Sequence, residues 1–125
     1  MTPTLTLEEQ VRACKDASRT LARMSTAQKN RALLGMADAL LTNEEPILAA
    51  NAIDITNAEK NGLSAAMVDR LVLNRARLEK MAQALRDVAS FEDPVGQRTA
   101  TWTRPNGIEV GYMRIPLGVI AMIYE

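Results

Sequence analysis

The chain has 125 residues, with 15 Lys+Arg against 15 Asp+Glu, one Cys and no His. Zero net charge and 3% aromatics argue against a nucleic-acid platform, and the longest apolar run, residues 117–124, is far short of the ~20 residues that cross a membrane. The lone thiol cannot close an internal disulfide, and the first residues lack a signal peptide's basic and apolar stretches. A soluble, cytoplasmic protein is expected, with no membrane and no nucleic acid as partner.

In chain order, Thr6-Leu-Glu-Glu9 is a capping box that opens a first helix. Leu7, Val11, Cys14, Ser18 and Leu21 form its stripe at three- and four-residue spacing. Ser25-Thr-Ala-Gln28 opens a second helix, with Ala32, Leu33, Met36, Ala37, Leu40 and Leu41 inward. Asn43-Glu-Glu-Pro46 signals a third through a capping side chain, acids near the positive end of the dipole and a first-turn proline. Ile47, Leu48, Ala52 and Ile55 form its apolar face, and Asn61-Gly62 ends it with a left-handed cap. Ser64 is placed to cap a short helix carrying Met67, Val68 and Leu71. Asn74 is placed to cap a longer one with Leu78, Met81, Ala82, Leu85 and Val88 inward. Tight connections predict that these helices fold back as hairpins.

At Ser90 the pattern changes. Glu92-Asp-Pro-Val-Gly96 is a turn signal, and two β-type runs flank Pro105-Asn-Gly107, which predicts a β-hairpin. Gly111 is expected to mark a bulge or a close backbone approach within it. After Pro116, residues 117–124 are apolar on both faces and rich in Val and Ile, as in a strand buried in a parallel sheet. Such a strand needs neighbours, and a two-stranded hairpin needs something to pack on. The organisation therefore reads as mainly α, helical hairpins followed by a β-hairpin and one buried strand, the front of something larger.

Few residues carry chemistry. Without His, the commonest general base and zinc ligand are missing, and no metal site is expected. Cys14 sits beside Arg12 and Lys15, but its place on the apolar stripe favours a buried, inert thiol over a nucleophile. Glu8-Glu9 and Glu44-Glu45 complement helix dipoles better than they serve acid–base work. The Gly107–Gly111 stretch lacks the strand–glycine–helix setting of a phosphate loop. Arg70, Arg75, Arg77, Arg98, Arg104 and Arg114 could hold an anion or pair with nearby acids. Trp102 suits an interface anchor or plain packing. No catalytic residue is assigned.

Seven blocks in order are more specific than any single motif. Lys29-Asn-Arg-Ala-Leu33, Ile47-Leu-Ala-Ala-Asn-Ala-Ile-Asp54, Gly62-Leu-Ser64, Asp69-Arg-Leu-Val-Leu73, Asp93-Pro-Val-Gly96, Arg104-Pro-Asn-Gly107 and Arg114-Ile-Pro-Leu-Gly-Val-Ile-Ala-Met-Ile-Tyr-Glu125 are read from end to end. Together they resemble the amino-terminal region of the gamma-glutamyl phosphate reductase (glutamate-5-semialdehyde dehydrogenase) family of the aldehyde dehydrogenase superfamily. The resemblance implies an α/β parent enzyme. It would use NADPH to reduce L-glutamyl 5-phosphate to L-glutamate 5-semialdehyde in proline biosynthesis, through a cysteine nucleophile and an oxyanion hole.

By the same resemblance, residues 1–92 are the helical part of the cofactor-binding domain and residues 93–115 are the hairpin of an oligomerisation flap. Residues 116–125 are the truncated first strand of the nucleotide-binding sheet. A homo-oligomer through the 97–115 hairpin is implied. Ile123, Tyr124 and Glu125 are the cofactor-side positions the chain reaches, at the carboxyl end of that strand. Cys14 does not correspond to the family's nucleophile, so the chain alone is expected to be inactive. The competing expectation is a stand-alone helical interaction module, or a regulatory subunit without catalysis.

Overall fold

The computed structural model describes residues 5–123. Among them are five helices, α1 (Leu7–Leu21), α2 (Thr26–Thr42), α3 (Glu44–Lys60), α4 (Ala65–Leu71) and α5 (Arg75–Ser90), and two strands, β1 (Arg98–Thr103) and β2 (Glu109–Met113). The chain divides into two units, residues 27–91 and the flanking residues 1–26 with 92–125. No helix among the described residues is long and apolar enough to cross a membrane.

In the helical unit, α2 and α3 are separated by Asn43 alone. That is too short for the turn of a helical hairpin, so the expected fold-back does not occur at this junction. Asn43 also does not cap α3 with its side chain. Its Nδ2 donates back to the Ala39 carbonyl at 2.8 Å, closing the end of α2. The α3 terminus follows the expected pattern closely. Gly62 takes φ +73°, its amide donates to Glu59, and the Leu63 amide donates to Ala58, the paired bonds of a Schellman cap. Ser64 precedes α4 as predicted but caps through its backbone carbonyl, which accepts from Met67 and Val68, and not through its hydroxyl. Asn74 caps α5 as expected, its Oδ1 accepting the Arg77 amide at 2.9 Å.

The core of this unit is built from small side chains. Ala37, Ala58, Ala82 and Ala89 are buried, and Leu78, at 1% exposure, is the largest fully buried residue. Asn51 is buried among them. Its Oδ1 accepts the Leu73 amide at 2.7 Å, and its Nδ2 donates to the Leu71 carbonyl at 3.0 Å, tying the connection between α4 and α5 to α3. Arg77 reinforces the same connection, donating to the carbonyls of Asp69 and Val72 and to the Asp69 carboxylate.

In the other unit, α1 begins with the predicted capping box. The Thr6 amide donates to Glu9 Oε2 at 2.8 Å, while Thr6 Oγ1 accepts the Glu9 amide at 3.3 Å. The Thr6 amide and then the Thr6 hydroxyl, which donates to the same Glu9 Oε2 at 2.9 Å, hold the Glu9 carboxyl below its ordinary pKa. The stripe on α1 is not buried: Leu7, Val11 and Leu21 are exposed, and so is Cys14. The expectation of a buried thiol is therefore corrected. An apolar stripe buries only against a complementary face, and no described element covers this one.

The hairpin forms with β1 and β2 antiparallel, pairing Trp102 with Val110 and Thr101 with Gly111, and with an irregularity between Arg98 and Ala100. Its turn is not the two-residue Asn-Gly type. The Gly107 amide donates to Arg104 at 2.9 Å, Arg104 donates to Ile108, and Gly107 alone takes positive φ. Pro105 thus sits at the second position of a turn whose left-handed residue follows it. At Gly111 the close-approach reading holds: a Cβ there would stand 2.6 Å from the Ala100 carbonyl oxygen. Trp102 and Tyr112 meet with ring centroids 5.5 Å apart. Before the hairpin, Asp93 accepts the Val95 amide and the Thr26 hydroxyl.

The terminal segment, expected as a strand of a sheet with neighbours beyond the hairpin, is not a strand among the described residues. Residues 116–123 join no sheet, and their apolar side chains are open, Leu117 at 88% and Ile123 at 95% exposure. The composition is that of an inner strand, but strand formation needs a hydrogen-bonded neighbour. The only sheet among the described residues is the hairpin, which pairs with itself.

Candidate functional site

The charged groups with conceivable chemistry are engaged with partners in their own unit. Glu8 pairs with Arg12 at 2.7 Å, one turn along α1. Glu9 belongs to the capping box. Glu44 pairs with Arg75, which also reaches Glu79, and Arg77 pairs with Asp69. These are the dipole and ion-pair roles expected of them. No group of three or more His, Cys, Asp or Glu among the described residues could hold a metal ion. Cys14 is exposed on α1.

Of the three cofactor-side positions, Ile123 is described, while Tyr124 and Glu125 lie outside the described residues. Ile123 is an apolar side chain almost fully open on unpaired backbone.

One concave feature of the helical unit is an apolar groove of about 720 Å³ between α2, the start of α3, and α5; another, of about 510 Å³, is lined by Glu59, Leu63, Ala65, Val68, Asp69 and Val72. Met36, Leu40, Ile47, Met81, Leu85 and Val88 line the first, with Ala39 and Ala84 at its sides. Periodicity identified Met36, Leu40, Ile47, Met81, Leu85 and Val88 as inward-facing, together with Ala37, Leu78 and Ala82. Burial is concentrated at the last three, leaving Met36, Met81 and Val88 at 54%, 45% and 50% exposure. The polar member, Asn43, already donates to Ala39. Near these elements, Arg86 pairs with Asp38 at 2.9 Å and Arg75 with Glu44 at 3.0 Å. The arrangement suits apolar packing and has no means of orienting a charged substrate.

The order of helices and hairpin, with the sequence threaded through them, can be compared with known proteins. Gamma-glutamyl phosphate reductase from Salinibacter ruber is 62% identical over 112 residues, which is 90% of this chain and 26% of that protein. The Moorella thermoacetica protein of the same name is 48% identical over 100% of this chain and 30% of its own length. The crystal structure of gamma-glutamyl phosphate reductase from Thermotoga maritima superposes with a TM-score of 0.83 at 34% identity, covering 88% of this chain and 27% of that one.

The chain resembles an amino-terminal fragment of gamma-glutamyl phosphate reductase.

The fold is accordingly that of the corresponding part of an aldehyde dehydrogenase-like enzyme. The Saccharomyces cerevisiae gamma-glutamyl phosphate reductase structure agrees, with a TM-score of 0.76 at 29% identity over 86% of this chain. The chain spans between 26% and 30% of the Salinibacter and Moorella gamma-glutamyl phosphate reductases. No protein-family profile matches it.

Proposed function

We propose that this chain is the amino-terminal part of an enzyme that uses NADPH to reduce L-glutamyl 5-phosphate to L-glutamate 5-semialdehyde, releasing phosphate in proline biosynthesis. The observation that carries the reading is 62% identity to the Salinibacter ruber gamma-glutamyl phosphate reductase across 90% of the chain. On this reading residues 1–92 belong to the cofactor-binding domain. The hairpin within residues 93–115 joins copies of the enzyme, for which the exposed Trp102 and Tyr112 supply apolar area. Residues 116–125 open the nucleotide-binding sheet, and the exposed Val, Ile and Leu side chains there are the ones such a strand would bury.

The 125 residues contribute positioning, not chemistry. Cys14 sits about two turns into α1, a position that does not correspond to the family's nucleophile. The chain by itself is inactive, and the enzyme acts in the cytoplasm. The test is a spectrophotometric assay of NADP reduction with glutamate semialdehyde and phosphate. It compares the purified chain with a chimera in which the chain replaces the matching segment of the Moorella thermoacetica relative. Turnover by the chimera and none by the chain is expected. Turnover by the chain alone overturns the inactive reading, and a folded but inert chimera overturns the enzyme reading.

A further inference from the structure

We propose that Asn106 is a self-modification site, whose carboxamide is displaced by the backbone nitrogen of Gly107 to leave aspartate or isoaspartate in the hairpin turn. The Gly107 nitrogen loses its proton to solvent and bonds to Cγ of Asn106. The Cγ–Nδ2 bond breaks, and the side-chain nitrogen leaves as ammonia. The cyclic imide so formed takes up one water at either of its carbonyls. One opening yields aspartate, and the other yields isoaspartate, whose backbone runs through Cγ and is longer by a methylene. Nothing is oxidised or reduced.

Sequence narrows the candidates to two. Only Asn61 and Asn106 precede a glycine, the residue with no side chain to shield its nitrogen. Both pairs are exposed, and a Cβ at Gly62 or Gly107 would meet nothing within 4 Å, so no neighbour screens either. In both, the glycine amide is engaged, Gly62 donating to Glu59 at 3.0 Å and Gly107 to Arg104 at 2.9 Å. Attack therefore waits for that bond to open.

Two observations put Asn106 ahead. The first is the cost of opening. Gly62 lies in the paired-bond cap of α3, where Leu63 also donates to Ala58, and Ala58 is buried in the helical core. Gly107 lies in the turn of a two-stranded sheet whose residues are exposed, except for half-buried Val110. A segment with open ladder bonds and little buried surface opens at lower free energy than one tied to a core. The second is the carbonyl under attack. The Ile108 amide donates to Asn106 Oδ1 at 3.3 Å. Negative charge develops on that oxygen as the nitrogen adds, so this donor favours the reacting state over the resting one. The bond spans three residues and does not require the strands to be paired. No donor among the described residues reaches Asn61 Oδ1. Conversion adds a negative charge to a chain of zero net charge. As isoaspartate it also inserts a methylene into the turn closed by the Gly107–Arg104 and Arg104–Ile108 bonds.

The test holds the purified 125-residue chain in mildly alkaline buffer and samples it over weeks. Peptide mass spectrometry follows the amide-to-acid mass gain at each Asn-Gly pair, and labelling by isoaspartyl methyltransferase identifies isoaspartate. Asn106 is expected to convert about tenfold or more faster than Asn61, as when local opening sets the rate, with isoaspartate among the products. The more acidic species that accumulates on ion exchange should be absent from Asn106→Gln. Gly111→Ala, which crowds the Ala100 carbonyl, is expected to speed conversion of Asn106 and to leave Asn61 unchanged. In urea, where cap and hairpin are both open, the two rates should approach each other. Equal rates in the folded chain, or a faster Asn61, overturn the proposal. A difference that persists undiminished in urea also overturns it, because the flanking Lys60 and Pro105 would then set the rates. An Asn106 rate indifferent to Gly111→Ala, with the strands shown to be unpaired, overturns the opening step on which the choice of Asn106 depends.

Discussion

The carboxamide of Asn51 closes two hydrogen bonds onto the backbone twenty residues away, accepting from Leu73 at 2.7 Å and donating to Leu71 at 3.0 Å. It is the buried polar residue of a core otherwise made of alanines and Leu78. Asn51→Ala leaves a partly buried N–H and a partly buried C=O without their partner. A loss of roughly 2 kcal/mol or more is expected, since each unsatisfied group costs about 1–3 kcal/mol. The denaturant midpoint of helical circular dichroism measures it, and an unchanged midpoint refutes the clamp.

Gly111 faces the Ala100 carbonyl so closely that an added Cβ would stand 2.6 Å from it, against backbone that cannot swing aside. Gly111→Ala should therefore separate the strands. A two-stranded hairpin is marginal to begin with, so a cost of about 1–3 kcal/mol, the usual range for overpacking, is enough to unpair it. The near-ultraviolet signal of the Trp102–Tyr112 pair should disappear while far-ultraviolet helicity is retained.

Glu9 has a depressed pKa because the Thr6 backbone N–H, and then its hydroxyl, hydrogen-bond to the ionised carboxylate. A group with a lowered folded pKa contributes stability above its unfolded value, and that contribution is lost as pH falls through the folded value. The capping box of α1 is thus intact at neutral pH and weakens only below the ordinary glutamate range around 4.5. An NMR titration should place the Glu9 midpoint below the ordinary glutamate value of 4.5. Thr6→Ala should raise it, because the hydroxyl is removed, and a midpoint that does not move refutes the hydroxyl's part.

Cys14 invites a catalytic assignment because it is the lone thiol and is exposed. Cys14→Ser in the Moorella chimera should leave kcat/KM within about twofold, where loss of a covalent nucleophile would remove orders of magnitude. A large loss would make Cys14 a participant after all.

Local chemistry was legible from the residues. Thr6 with Glu9, Asn74, Asn61-Gly62 and Pro105-Asn-Gly107 each act within a few positions of the chain, so their type and spacing specify the outcome. Even there the atoms could differ from expectation. Asn43 turned its amide back to Ala39 and left α3 uncapped, and Pro46, three residues on, has no N–H for a capping side chain to accept. The order of helices followed by a hairpin, and the family resemblance, were readable for the same reason.

What packs against what was not readable. Periodicity marks a face as apolar without saying what covers it, so Cys14 and the α1 stripe, though apolar in pattern, are open. Residues 117–123 have an inner strand's composition, but a strand exists only where a neighbour supplies hydrogen bonds, and the hairpin does not. Asn51 gave no sign of its role, since its partners arrive from beyond α4. Short-range hydrogen bonding and turn geometry follow from adjacent residues. Burial is a property of two surfaces, and only the tertiary structure decides whether the second one is there.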